Sequence, residues 1–151
     1  MPGGVTFSPN GALLAMSAPE NSVTLWIFKS NRTIPPALYG HTQSIASVAF
    51  RRDGKVLASG SADGDIRLWD VETHELLGTL GAQRKAIKSV VFNPQRGILA
   101  SVGEDDSIVF WEVDFEDWSS HACRVANRNL TPKEWNTYFG NRSYRKTCPN
   151  L

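Results

Sequence analysis

The sequence predicts an all-β fold of about three repeated four-stranded antiparallel sheets, followed by a short α-helical extension at the C-terminus. Three observations lead there. Trp26, Trp69 and Trp111 are separated by 43 and then 42 residues, and Phe7, Phe50 and Phe92 keep the same two spacings. Each phenylalanine precedes a turn-forming stretch: Ser8-Pro9-Asn10-Gly11, Arg51-Arg52-Asp53-Gly54 or Asn93-Pro94-Gln95-Arg96-Gly97. Each stretch leads into a Leu-Ala pair, at 14–15, 57–58 and 99–100, and an acidic residue (Glu20, Asp63, Asp105) stands six positions before each tryptophan. A repeat of 42–43 residues is the length of four short strands with their turns.

The middle repeat is the clearest. Three β-rich runs, 45–50, 56–61 and 65–70, are separated by Asp53-Gly54 and Asp63-Gly64. Asp-Gly between apolar runs signals a hairpin, because glycine supplies a positive φ without a Cβ clash. A fourth run at 75–80 completes the unit. In the first repeat, 5–7 reads as the tail of an innermost strand whose start would precede Met1; strands follow near 12–17, 22–28 and 33–38. Pro35-Pro36 confines the last of these to a sheet edge, since proline donates no ladder hydrogen bond. The third repeat has runs at 86–92, 98–103 and 107–113 and no outer strand of its own. The expected organisation is therefore repeats at about 1–39, 40–80 and 81–113, then a tail at 114–151.

Gly40-His41 at the start of the middle repeat and Trp69-Asp70 at its end resemble the signature of the WD-repeat β-propeller family. The resemblance implies a partial propeller of about three blades. It also implies a buried hydrogen-bonded chain of His41, Ser59 (or Ser61), Asp63 and Trp69. A Ser, a His and an Asp in one network also admit a hydrolase reading. Against it, the indole would occupy the hydroxyl, and there is no Gly-x-Ser-x-Gly elbow. These residues are thus expected to form a structural tetrad, with no catalytic residue. The third repeat has Asp105, Ser101 and Trp111 but Ala82 in the histidine position; the first has Trp26 and Glu20 but Met16 in the serine position. Loops at the tetrad end are the expected partner-binding surface, because a rigid scaffold positions them. The candidates are Gln43, Ser44, Ala62, Arg84, Lys85, Lys88 and Glu104, with Glu104 placed beside Lys88.

The composition changes after the third repeat. From residue 119 onward Glu134 is the one acidic residue, against Arg124, Arg128, Lys133, Arg142, Arg145 and Lys146. Phe115, Trp118, Ala122 and Val125 fit one helical face capped by Asp114. Thr131-Pro132-Lys133-Glu134 reads as a capping box opening a second helix with Trp135, Tyr138 and Phe139, closed by Gly140. Residues 122–149 resemble the C-terminal extension of large bacterial proteins in which a signalling NTPase or other effector domain precedes a WD-repeat propeller. The chain itself has no Gly-x-x-x-x-Gly-Lys-[Ser/Thr] motif.

Several function classes lose support. The net charge is +1 and the pI about 7.8, so no bulk field favours nucleic acid or membrane. No apolar run approaches the roughly 20 residues that span a bilayer, and the N-terminus lacks a signal-peptide pattern. A cytoplasmic protein is expected, in which the Asn-x-Ser/Thr matches at Asn31, Asn129 and Asn141 are chance. Asp63, Asp65 and Asp70 lack the terminal Glu of a calcium loop, and His74 and His121 have no partner at ligand spacing. No metal or cofactor is implied. The basic tail makes a nucleic-acid-binding adapter the rival function, although it lacks aromatics interleaved as a stacking platform. Propellers close with four to eight blades, so the expected partners are a protein, the remaining blades of a longer chain, or a second copy completing a ring. Cys123 and Cys148 are expected as reduced thiols. Rapid alkylation of fresh lysate followed by non-reducing mass spectrometry should find both free; a stoichiometric Cys123–Cys148 bridge contradicts this.

Overall fold

A computed structural model describes residues 4–81, 85–113 and 131. The chain divides into two compact units, Met1–Glu112 and Val113–Leu151; the strands described below lie in the first. The first sheet comprises β1 (Val5–Phe7), β2 (Leu13–Ala18), β3 (Ser22–Ile27) and β4 (Arg32–Leu38). The second comprises β5 (Ile45–Phe50), β6 (Val56–Ser61), β7 (Asp65–Asp70) and β8 (Leu76–Gly81). The third has β9 (Ile87–Phe92), β10 (Ile98–Gly103) and β11 (Ile108–Glu112). In each, sequential strands pair antiparallel.

One expectation is corrected. The fold class is all-β, three antiparallel sheets of the WD-repeat type, and not blades with an α-helical extension: the described residues form eleven strands and no helix. The two helices read from apolar periodicity and capping residues fall on 114–130 and 132–151, outside the described residues. Periodicity over four or five apolar positions is a weak signal when the segment is short.

Turn chemistry explains the register. Asp53 Oδ1 accepts the Lys55 N–H at 2.9 Å, and Gly54 takes a φ of 72°. At the next turn Asp63 Oδ1 accepts the Asp65 N–H at 3.0 Å, and Gly64 takes a φ of 88°. Both glycines sit in left-handed backbone that a side chain disfavours. β4 pairs only with β3, so Pro35 and Pro36 lie on an edge, where a missing donor costs no ladder bond.

Side chains alternate across each sheet, which gives two distinct faces. One carries the rows Phe7–Leu14–Trp26, Phe50–Leu57–Trp69 and Phe92–Leu99–Trp111; we term it the tryptophan face. The other carries Thr6–Ala15–Leu25, Ala49–Ala58–Leu68 and Val91–Ala100–Phe110; we term it the alanine face. The sheets stack tryptophan face on alanine face. Val48, Leu57 and Trp69 of the second sheet share one buried cluster with Ala15, Val23 and Leu25 of the first.

The second and third sheets meet the same way and more closely. A Cβ on Gly60 would lie 2.6 Å from Ile87 Cγ2 and 2.9 Å from Val90 Cγ1. The Val90 N–H donates to Ser47 Oγ at 3.1 Å, tying β9 to β5. Gly60→Val should therefore destabilise the protein by about 1–3 kcal/mol in denaturant unfolding, the usual cost of overpacking a close interface. Gly78→Ala, whose added Cβ meets nothing within 4 Å, should leave stability unchanged or slightly raised. Equal effects at the two positions would contradict this packing.

Candidate functional site

The densest polar cluster lies inside the second sheet. His41 precedes β5, Ser59 is on β6, Asp63 is in the β6–β7 turn and Trp69 is on β7. His41 Nδ1 is 2.9 Å from Asp63 Oδ2, and His41 Nε2 is 2.8 Å from Ser59 Oγ. The Trp69 indole N–H donates to Ser59 Oγ at 2.8 Å. With a neutral imidazole the carboxylate fixes the tautomer: Nδ1–H donates to Asp63, so Nε2 accepts the Ser59 hydroxyl. Indole, hydroxyl, imidazole and carboxylate thus form one directional chain. Ser61, the alternative on β6, does something else: its Oγ donates to the Gln43 carbonyl at 3.0 Å and accepts the Asp63 N–H at 3.2 Å.

The site is closed to solvent. The His41 side chain is fully enclosed and that of Asp63 is 7% exposed; Ser59 has no exposure. Burial pushes the Asp63 carboxyl up, but the Thr42 and Asp65 N–H groups and the His41 imidazole outweigh it, and its pKa lies below the ordinary carboxylate value. The Thr42 N–H reaches Asp63 Oδ2 at 2.9 Å. Spacing did not single out Thr42, whereas Gly40 belongs to the signature read at the start of the repeat. Thr42 acts through its backbone and so carries no side-chain signal. Gly40 holds a φ of 152°, and a Cβ there would collide with the Arg67 guanidinium.

The other sheets hold fragments of this network. In the third, the Trp111 indole N–H donates to Ser101 Oγ at 2.9 Å. Asp105 instead accepts the Ser107 hydroxyl at 2.6 Å and the Ser107 N–H at 3.1 Å; Ala82 lies outside the described residues. In the first, Met16 pairs across from Thr24 and brings no hydroxyl to Trp26. Glu20 and Asn21 both have positive φ, 60° and 55°, so this turn differs from the one that aims Asp63.

The candidate binding residues gather at the tetrad end of the sheets. The Ala62 N–H donates to the Ser44 carbonyl at 2.9 Å, and the Glu104 N–H to the Ala86 carbonyl at 2.9 Å, so equivalent loops in the second and third sheets are pinned alike. Gln43, Ser44, Lys85, Lys88 and Glu104 are exposed. Arg84 lies outside the described residues. Lys88 Nζ meets Asp106 Oδ1 at 3.0 Å. Asp106 holds a φ of 60° at the turn position of Gly64, which swings its carboxylate toward β9.

Asp65 and Asp70 cap opposite ends of β7, roughly 16 Å apart at strand rise. Asp70 Oδ1 accepts the Glu72 and Thr73 N–H groups at 2.9 and 2.8 Å. Among the described residues no group of three or more His, Cys, Asp or Glu could hold an ion. Nor is any helix among them long and apolar enough to cross a membrane. His74 lies half-buried in the β7–β8 turn; His121, Cys123 and Cys148 lie outside the described residues.

Stacked antiparallel sheets, one of them bearing a buried Ser-His-Asp-Trp chain, define a β-repeat protein. The chain belongs to the WD domain, G-beta repeat family, whose model matches residues 31–70 and 74–112, more than half its length. It is 40% identical over 82 residues to periodic tryptophan protein 2 of Arabidopsis thaliana, covering 54% of this chain and 9% of that protein. It is 35% identical over 77 residues to the COMPASS component SWD3 of Saccharomyces cerevisiae, covering 50% of this chain and 24% of that one. Among solved structures, the RRP9 WD40 repeats superpose with a TM-score of 0.68 at 26% identity, over 74% of this chain and 35% of theirs. The chain thus spans a minor part of the relatives it matches. The relatives quoted by organism are eukaryotic, and the bacterial NTPase resemblance of the tail gains no support from them.

Two predictions follow from the geometry. Trp69→Ala should cost about 3–5 kcal/mol, as large aromatic truncations do, and Ser59→Ala about 1–3 kcal/mol by stranding buried partners. Losses under about 0.5 kcal/mol, the range of surface substitutions, would remove the network from the account. The second concerns pH. Because the folded pKa of Asp63 is depressed, its stabilisation is present above the unfolded value of about 3.9 and is lost as pH falls through the folded value. Asp53 and Asp105 are depressed as well, so the test is a difference. The stability gap between wild type and Asp63→Asn should narrow as pH falls below about pH 4; a gap that does not narrow there would contradict it.

Proposed function

We propose that this chain is a non-catalytic WD-repeat scaffold, working in the cytoplasm, that holds a protein partner on the loop end of its second and third sheets. One observation carries the reading. The Ser59 hydroxyl is engaged on both sides, by indole and by imidazole, inside a solvent-free cluster, so the Ser-His-Asp set fastens the sheet and offers no nucleophile. The same cluster fixes the loops that carry Gln43, Ser44 and Ala62, and rigid loops bind with less entropy to lose. The COMPASS component among the relatives is by name part of an assembly.

The rival, a nucleic-acid adapter, needs an uncompensated basic surface. The basic residues on which that rival rests lie in the tail, outside the described residues; the described rim carries both signs, with Lys85, Lys88, Glu104, Asp105 and Asp106 exposed and Lys88 paired to Asp106. That mixture suits a peptide or protein surface carrying both signs of charge. The finer reading, that the chain ends a larger bacterial signalling protein, rests on the tail resemblance alone.

Peptide selection on the immobilised chain tests the proposal. Lys85→Ala/Lys88→Ala/Glu104→Ala should weaken the selected peptides at least ~10-fold, while Lys55→Ala/Glu72→Ala at the opposite loop end should change them less than ~2-fold. Equal losses would contradict the site. Tight, steeply salt-dependent binding of single-stranded RNA or duplex DNA would favour the rival.

A further inference from the structure

Of the asparagines in the chain, only Asn10 is followed by glycine. The pair sits in the turn between β1 and β2, and both residues are exposed. Gly11 takes a φ of 67°, a left-handed conformation that side chains disfavour, so the turn itself calls for glycine there. A Cβ at Gly11 would meet nothing within 4 Å, so neither a side chain nor a neighbour crowds its backbone nitrogen. The Asn10 amide is held in place. Its Oδ1 accepts the Ser8 hydroxyl at 2.7 Å and the Ala12 N–H at 3.0 Å. Two donors on one amide oxygen polarise the carbon behind it, and they sit at the distance at which donors stabilise an oxyanion.

We propose that Asn10 is a deamidation site: in the folded chain the Gly11 backbone nitrogen attacks Asn10 Cγ, and the turn accepts the aspartate that results. The Gly11 N–H first loses its proton to hydroxide. The nitrogen then bonds to Cγ, and negative charge gathers on Oδ1 under its two donors. The bond from Cγ to the side-chain nitrogen breaks, and that nitrogen leaves as ammonia after taking a proton from water. Water opens the five-membered imide. Attack at Cγ restores the peptide bond and leaves aspartate; attack at the Asn10 main-chain carbonyl leaves isoaspartate, with one more carbon in the backbone.

One contact opposes the first step: the Gly11 N–H donates to the Ser8 carbonyl at 2.8 Å. A single hydrogen bond at an exposed turn slows a step that must break it by roughly 10-fold at most, and the two donors on Oδ1 act in the other direction. The product has a template in the second sheet. Asp53-Gly54 occupies the same place in the β5–β6 turn. There Asp53 Oδ1 accepts the Lys55 N–H at 2.9 Å, as Asn10 Oδ1 accepts that of Ala12, and Gly54 takes a φ of 72°. The third turn offers no such pair, since Asn93 precedes Pro94, which has no N–H to lose. Deamidation is thus open to one of the three turns.

Peptide mapping by mass spectrometry on the folded chain, incubated at neutral pH and physiological temperature, tests this. The Asn10 peptide should convert from amide to acid at least ~10-fold faster than the peptides holding Asn21 and Asn31, and faster still as pH rises. Its rate should lie within about 10-fold of that in the urea-unfolded chain. Asn10→Asp, made directly, should keep the urea midpoint of wild type, and Asn10→Gln should not convert. An Asn10 peptide no faster than those of Asn21 and Asn31 overturns the proposal. So does a folded-chain rate further below the unfolded one, because the Ser8–Gly11 bond would then lock the nitrogen. An Asn10→Asp midpoint well below that of wild type overturns it as well, since the turn would then reject the product.

Discussion

The Ser59 hydroxyl is the point from which the rest of the second sheet is held. It takes the Trp69 indole N–H and gives its own proton to His41, whose other nitrogen is anchored on Asp63. In a dry interior each of these bonds is stronger than in water, and each stranded partner is more costly. The chain crosses β6, β7, the turn between them and the loop before β5. It therefore fixes the internal geometry of the sheet and also the orientation of Trp69. That ring lies in the cluster with Ala15 and Leu25 of the first sheet. Hydrogen bonding within one sheet thus sets how it stacks on the next.

The interface itself follows a simple rule of size. A large aromatic row lies against a row whose middle member is alanine, Ala15 under the second sheet and Ala58 under the third. Gly60 carries the rule furthest, since even a methyl group would collide with Ile87 and Val90. Large opposite small lets sheets approach at native packing density.

Much of this was legible in the residues. The tryptophan and phenylalanine spacings locate all three sheets, because an aromatic at a fixed strand position must recur with the strand. His41, Ser59, Asp63 and Trp69 could be assembled because the match to the family signature is local to 31 residues, Gly40 to Asp70. Other features depend on geometry that composition does not encode. Lys88 pairs with Asp106 because that residue takes a left-handed turn conformation; by sequence proximity Glu104 was as good a candidate. The choice between Ser59 and Ser61 turned on which hydroxyl meets the indole. Both lie on one face of β6, so alternation could not separate them. The helices expected after the third sheet rested on a few apolar positions and capping residues, and the described residues contain none.

Hydrogen exchange at the Trp69 indole N–H, followed by nuclear magnetic resonance, tests the central claim most directly. If the tetrad is a structural fastener, this proton exchanges only through global opening, with a protection free energy equal to that of unfolding, and Ser59→Ala removes much of that protection. Exchange at the rate of a solvent-exposed indole, or protection unchanged by Ser59→Ala, would contradict the account.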